Sequence, residues 1–155
     1  MSFKQQSFPF GPSGGIGGNA FYVAAPANAY KIIQVWGRSG ARIDSIGVTW
    51  STPDGVVSAG PFGATGQPNF TFDIPSGDYL TGIYGSVGEY NDSVRVFSLK
   101  FETMTKKISS TFGTQQSTQF NFTSPPDYQI AWIFGRAQSE LDALGVVIAP
   151  IVKYF

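Results

Sequence analysis

The sequence predicts an all-β fold, a three-sided prism of antiparallel sheets, and three observations carry that prediction. Two separate elements recur along the chain with one shared period of about fifty residues. Apolar and polar residues alternate in NFTFDI, in QFNF and after each of the repeated acids. Gly and Pro interrupt the chain so often that no amphipathic helix of about ten residues fits anywhere.

The first repeated element is an aromatic residue, a glycine, and an acid seven positions after that glycine. It reads WGRSGARIDSIGV from Trp36, YGSVGEYNDSVRV from Tyr84 and FGRAQSELDALGV from Phe134. Aligned without gaps, these give Gly37, Gly85 and Gly135, then Asp44, Asp92 and Asp142, at offsets of 48 and 50 residues. The second element is a glycine seven positions before an aromatic: Gly14 to Phe21, Gly63 to Phe70, Gly113 to Phe120. Between them lie GGIGG, GATGQ and GTQQS, so glycine content falls from the first copy to the third.

Each unit reads as β. Phe70, Phe72 and Ile74 alternate, as do Phe120 and Phe122. After each acid, Ile46, Val48 and Trp50, then Val94 and Val96, then Leu144, Val146 and Ile148 fall on one face. A sheet this small cannot bury a face alone, but three can share one core around a pseudo-three-fold axis. Residues 1–155 then form a single domain, long enough for a core without disulfides or a structural metal.

Composition narrows the chemistry. Charged residues are 13% of the chain against a typical ~25%, and ten basic residues balance ten acidic ones. No electrostatic footprint for nucleic acid or an anionic membrane is present. There is no Cys and no His, which removes thiol and imidazole catalysis and the usual zinc ligands; no cofactor is expected. The first residues lack a signal-peptide core and no run approaches a membrane span, so membrane insertion is not expected. The expected location is cytoplasmic, or outside the cell by a non-classical route. Sequons at Asn69, Asn91 and Asn121 read as chance occurrences in a Ser/Thr-rich strand protein, Asn69 and Asn121 lying within predicted strands.

The repeated loops suit a neutral polyol. An ionised carboxylate can accept hydrogen bonds from two neighbouring sugar hydroxyls at once. Glycine-rich turns can aim backbone N–H donors at a ligand and let it approach closely. A lone Asp in a turn more often serves the turn itself, and glycine loops are more often hairpins. Three acids in register, each matched to a glycine loop, favour the ligand reading.

GPSGGIGG, GRSGARIDSIGV and GRAQSELDALGV resemble the glycine loop and the G-x-x-x-D loops of the jacalin-related lectins, over almost the whole chain. The resemblance implies the β-prism I fold, three Greek-key sheets around a pseudo-three-fold axis. It also implies binding of carbohydrate by an Asp and by backbone N–H groups. Three acid loops in one chain, with Tyr90 in one, are similar to griffithsin-type members. Carried over residue by residue, Asp142 with Ser139 and Glu140 would face Gly15. Asp44 with Ala41 and Arg42 would face Ala64, and Asp92 with Glu89 and Tyr90 would face Thr114. The second residue of each glycine loop would donate its N–H to the sugar.

The chain departs from the pattern at Gln138, which replaces the motif glycine and alters the loop if that position needs a positive φ. Ala64 and Thr114 replace the second glycine but keep an N–H. The Asp44 and Asp142 loops rank level, and the Asp92 loop last because its partner loop is poorest in glycine. Galactose-binding members use a free amino group made by cleavage before a glycine. The unbroken run through Gly11 and Gly14 therefore implies the mannose/glucose class. Partners would be glycans or glycoproteins, with a homo-oligomer, dimer or higher, supplying avidity.

Two rival functions stand beside this one. A glycosidase needs two carboxylates ~5–9.5 Å apart; only Glu89–Asp92 and Glu140–Asp142 are close in sequence and Asp44 has no such neighbour, so no enzyme is expected. A β-prism used as a protein-interaction module, its acids structural, is the alternative.

Overall fold

The computed structural model describes residues 6–151 as strands and turns, with no α-helix among them. In chain order the strands are β1 (Phe8–Gly14), β2 (Asn19–Tyr22), β3 (Lys31–Ser39), β4 (Ile43–Thr52), β5 (Gly55–Gly63) and β6 (Phe70–Asp73). There follow β7 (Leu80–Tyr90), β8 (Ser93–Thr103), β9 (Phe112–Gly113), β10 (Thr118–Thr123), β11 (Tyr128–Ala137) and β12 (Leu141–Pro150). They form three four-stranded sheets, ordered β1-β12-β11-β2, β5-β4-β3-β6 and β9-β8-β7-β10, with every neighbour antiparallel.

The shared core expected from the alternation is present. Ile46, Val48 and Trp50 are buried, as are Leu144, Val146 and Ile148. Each sheet contributes a large fully enclosed aromatic: Trp50 from β4, Phe101 from β8 and Trp132 from β11. Trp50 also ties two sheets together, its Nε1–H donating to the Ala131 carbonyl at 2.7 Å. Stacked pairs join neighbouring sheets at their edges, Phe21 on Phe62 at 4.3 Å and Phe70 on Phe112 at 4.4 Å. Removing Trp50 would destroy packing and a buried hydrogen bond together, about 3–5 kcal/mol.

The two repeated sequence elements meet in space. Phe21, Phe70 and Phe120 pair in register with Gly135, Gly37 and Gly85 on the adjacent strand. At Gly37 and Gly85 a side chain would collide with that aromatic ring. The shared period is thus a packing requirement repeated three times.

The middle copy breaks the gapless alignment. Gly37 pairs with Ile46 and Gly135 with Leu144, nine positions on, whereas Gly85 pairs with Leu99, fourteen positions on. The β7–β8 hairpin is therefore five residues longer than its counterparts. Its turn is Asn91-Asp92, between the paired residues Tyr90 and Ser93, with φ of 50° and 59°. That is the two-residue turn of positive φ that Asn and Asp tolerate best. Val94 is consequently only half-buried, out of step with the residues it was aligned to.

Candidate functional site

The glycine loops dock on the acid strands by one repeated contact. Gly15 donates its N–H to the Asp142 carbonyl at 2.8 Å, and Ala64 to the Asp44 carbonyl at 2.9 Å. In the third copy Thr114 donates to the Phe97 carbonyl at 2.9 Å. Phe97, and not Asp92, occupies the position of Asp44 and Asp142. Just before each donor, Gly14, Gly63 and Gly113 have positive φ, and any side chain there would strike the same carbonyl.

Three expectations are corrected by this geometry. Asp92 does not face Thr114; it sits exposed at the tip of the long hairpin, with Glu89 and Tyr90 also exposed, and serves the turn. The space an acid would use is filled: a Cβ on Gly88 would lie 3.2 Å from the Phe97 ring and 3.3 Å from Gln116 Cγ. The three-acid pattern similar to griffithsin-type members is therefore reduced to two. The N–H groups of Gly15, Ala64 and Thr114 are engaged by strand carbonyls, so they are not turned toward a ligand.

The residues beside the Asp142 carboxylate are instead Gly17 and Gly18. A Cβ on Gly17 would lie 3.2 Å from Oδ1, and one on Gly18 would collide with Oδ2. Arg136 holds this loop in place, donating Nε–H to the Gly17 carbonyl at 2.9 Å and Nη2–H to the Gly18 carbonyl at 2.8 Å. Arg38 does the same in the Asp44 copy, donating to the Gln67 carbonyl. The third copy has Ser86 there, whose hydroxyl accepts from the Gln116 N–H at 2.9 Å and pairs with Ser98 at 2.6 Å. The signal for this was available in the repeats themselves, as Gly-Arg, Gly-Ser and Gly-Arg after the aromatic.

The two remaining acid loops share one backbone form. Gly40 donates to the Arg42 carbonyl at 3.0 Å and Gln138 to the Glu140 carbonyl at 3.1 Å. Neither Gly40 nor Gln138 has positive φ, so Gln138 leaves the loop intact. The N–H groups of Ala41, Arg42, Ser139 and Glu140 have no acceptor among the described residues. Asn69 lies just before β6 rather than within it. Its side-chain amide accepts from the Ser39 N–H and donates to the Ser39 carbonyl, both at 2.8 Å, fixing the entry to the Asp44 loop.

The two carboxylates differ in access. Asp44 is half-buried, and no hydrogen bond reaches its carboxylate among the described residues. Asp142 has a side chain only 3% exposed, with Arg95 Nη1 3.7 Å from Oδ1. The long hairpin causes this, because β8 leans on the glycine loop: a Cβ on Gly15 would strike the Val94 carbonyl, and one on Gly17 would lie 3.8 Å from Ser93 Oγ. Arg95 also reaches Glu140 at 3.7 Å, and Arg42 bonds Glu140 at 2.6 Å while lying 3.5 Å over the Tyr90 ring. Burial raises both carboxyl groups above the ordinary Asp range. Glu140 adds to the rise at each, opposed by Arg42 and Arg38 at Asp44 and by Arg95 and Arg136 at Asp142.

Comparison with known proteins gives the same architecture. The jacalin-like lectin domain model matches residues 10–147. Horcolin of Hordeum vulgare is 34% identical over 142 residues, covering 90% of this chain and 95% of that protein. The structure of Malaysian banana lectin superposes with a TM-score of 0.80 at 28% identity, covering 93% of this chain and 99% of that one. A mannose-binding jacalin-related lectin from Ananas comosus shares the fold, with a TM-score of 0.81 at 24% identity and coverage of 93% and 98%. The family is one of carbohydrate-binding proteins and not of enzymes, and this chain belongs to it: it is a jacalin-like lectin domain.

Proposed function

We propose that this chain binds mannose- or glucose-type glycans at two loops, with Asp44 and Asp142 accepting from vicinal sugar hydroxyls. The unpartnered N–H groups of Ala41, Arg42, Ser139 and Glu140 donate in return. The observation that carries the reading is Asp44: a partly exposed carboxylate with no hydrogen bond of its own, beside two N–H groups that have no acceptor. Such a group is ready to accept two hydroxyls without first breaking an internal bond. Asp142 carries the same chemistry under a cover made by Arg95.

A shallow site of this kind binds near millimolar, about −4 kcal/mol, and avidity comes from paired sites and from assembly of chains into a homo-oligomer. The near burial of Asp142 is the one observation on the side of the alternative, a β-prism that contacts proteins. Retention on mannose-agarose, with Asp44→Ala, Asp142→Ala and the double variant compared, separates the two. The lectin reading expects retention by the parent, partial loss in each single variant and a larger loss in the double. It fails if the parent is not retained or the double variant is retained normally.

A further inference from the structure

The third copy lacks an acid site but opens a cleft of its own on the outer face of the β9-β8-β7-β10 sheet. In the other two copies that place is closed. Trp36 and Phe134 pair in register with Gly47 and Gly145, and each ring lies where a side chain on that glycine would stand. Edge strands of nine and seven residues, β5 and β1, run alongside: Gly60 packs on the Gly47 backbone, and the Phe10 carbonyl lies 2.9 Å from where a Cβ on Gly145 would be.

The third copy loses both covers. The residue paired with Tyr84 is Lys100 instead of glycine, so the ring cannot lie across it. Tyr84 folds along its own strand, 3.1 Å from a Cβ position on Gly82, and its hydroxyl donates to Glu102 at 3.2 Å. The edge strand β9 is only two residues long. A cleft of about 170 Å³ results, lined in part by Tyr84, Lys100, Thr111, Gln115, Gln119 and Asn121. That is the volume of roughly six waters at ~30 Å³ each, enough for one pyranose ring.

We propose that this cleft is a further saccharide site, taking one neutral pyranose residue by a chemistry opposite to that of the acid loops. The carboxamides of Gln115, Gln119 and Asn121 and the Thr111 hydroxyl have no hydrogen-bond partner among the described residues, and each can both donate and accept, as a sugar hydroxyl does. Lys100 supplies donors where the acid loops supply acceptors, and its ammonium lies 5.5 Å from the Tyr84 ring centroid. Among the described residues no carboxylate lines the cleft and Lys100 is its one charged group, so most of its donors and acceptors are uncharged and match a neutral ring. The site does not depend on the acid-loop reading.

Residue-resolved NMR of the ¹⁵N-labelled chain reads each site separately. The probes are methyl α-mannoside and methyl α-glucoside, with glucuronate as the acidic comparison, each taken to about 0.1 M, a hundredfold above the millimolar strength expected of one such site. The expected result is saturable shifts of the Gln115, Gln119 and Asn121 side-chain amides, at least tenfold weaker in Lys100→Gly, which lets Tyr84 close the cleft. Asn121→Ala, at an exposed strand position, should weaken them as well. The inference is overturned if those amides do not saturate, if both variants titrate like the parent, or if only glucuronate produces the shifts. Shifts confined to the Asp44 and Asp142 loops would overturn it and leave the acid-loop reading standing; shifts confined to the cleft would do the reverse.

Discussion

Arg42 and Glu140 lie 98 positions apart and are joined by an ion pair of 2.6 Å that ties one acid loop to the other. Both side chains are mostly buried, 19% and 13% exposed, and Arg42 is sandwiched against Tyr90 of the long hairpin. Two loops and the hairpin thus form one braced surface. A double-mutant cycle with Arg42→Ala and Glu140→Ala, read by urea unfolding, should give a coupling of about 1 kcal/mol, above the value of an exposed pair. A coupling indistinguishable from zero would mean that the loops are positioned independently.

Asp92 should be silent in binding. It stands at a turn tip, five residues before Phe97, whose carbonyl accepts from Thr114. Asp92→Ala should change glycan affinity less than twofold and stability by no more than ~1 kcal/mol, since it removes only a turn former. A loss of binding comparable to that of Asp44→Ala, both measured by titration calorimetry, would restore it as a ligand residue.

Arg95 should compete with sugar for Asp142. Its guanidinium lies 3.7 Å from both Asp142 and Glu140, on a hairpin that leaves the Asp142 side chain 3% exposed. Arg95→Ala should therefore raise affinity at the Asp142 loop a few-fold, the equivalent of the ~0.5–1 kcal/mol that a part-exposed pair contributes. The Asp44 loop in the same molecule is the internal control. Weaker binding at Asp142 would show that Arg95 holds the ligand instead.

Much of this was legible in the sequence, and the failures share a cause. The repeat gave three sheets and two acid loops of one backbone form because aromatic-on-glycine packing fixes the spacing between Phe70 and Gly37 or Phe120 and Gly85. Asp92 matched by coincidence: a hairpin insertion moved the register while its Asn-Asp turn returned an acid to the expected column. No spacing rule distinguishes an acid at a turn tip from one at the second position of a strand. The expectation for Gly15 fails for a similar reason, because the sequence does not show which N–H groups the neighbouring strand already engages.

Gly18 tests that reassignment. It has a φ of +67°, and a methyl group there would collide with Asp142 Oδ2. Gly18→Ala should lower stability by about 1 kcal/mol through backbone strain and abolish binding at the Asp142 loop while sparing Asp44. Binding retained at both loops, measured by the shifts of their backbone amides on addition of sugar, would place the ligand away from Gly18.

Acid should empty the sites before it unfolds the protein. Hydroxyl donation to Asp44 or Asp142 requires the ionised carboxylate, and burial holds both groups above the ordinary value of about 4. Affinity should therefore begin to fall, as pH is lowered, above the range where a free Asp protonates, with protons taken up as sugar leaves. The effect on folding has the opposite sign. A carboxyl whose folded pKa exceeds its unfolded one contributes stability that is fully present below the unfolded pKa and lost as pH rises through the folded one. Calorimetry in two buffers of different ionisation enthalpy counts the protons directly. Arg95 lowers the Asp142 pKa, so Arg95→Ala should move the break at that loop to higher pH and leave the Asp44 break in place. Affinity that stays flat down to pH ~4 would mean that neither carboxylate accepts from the ligand.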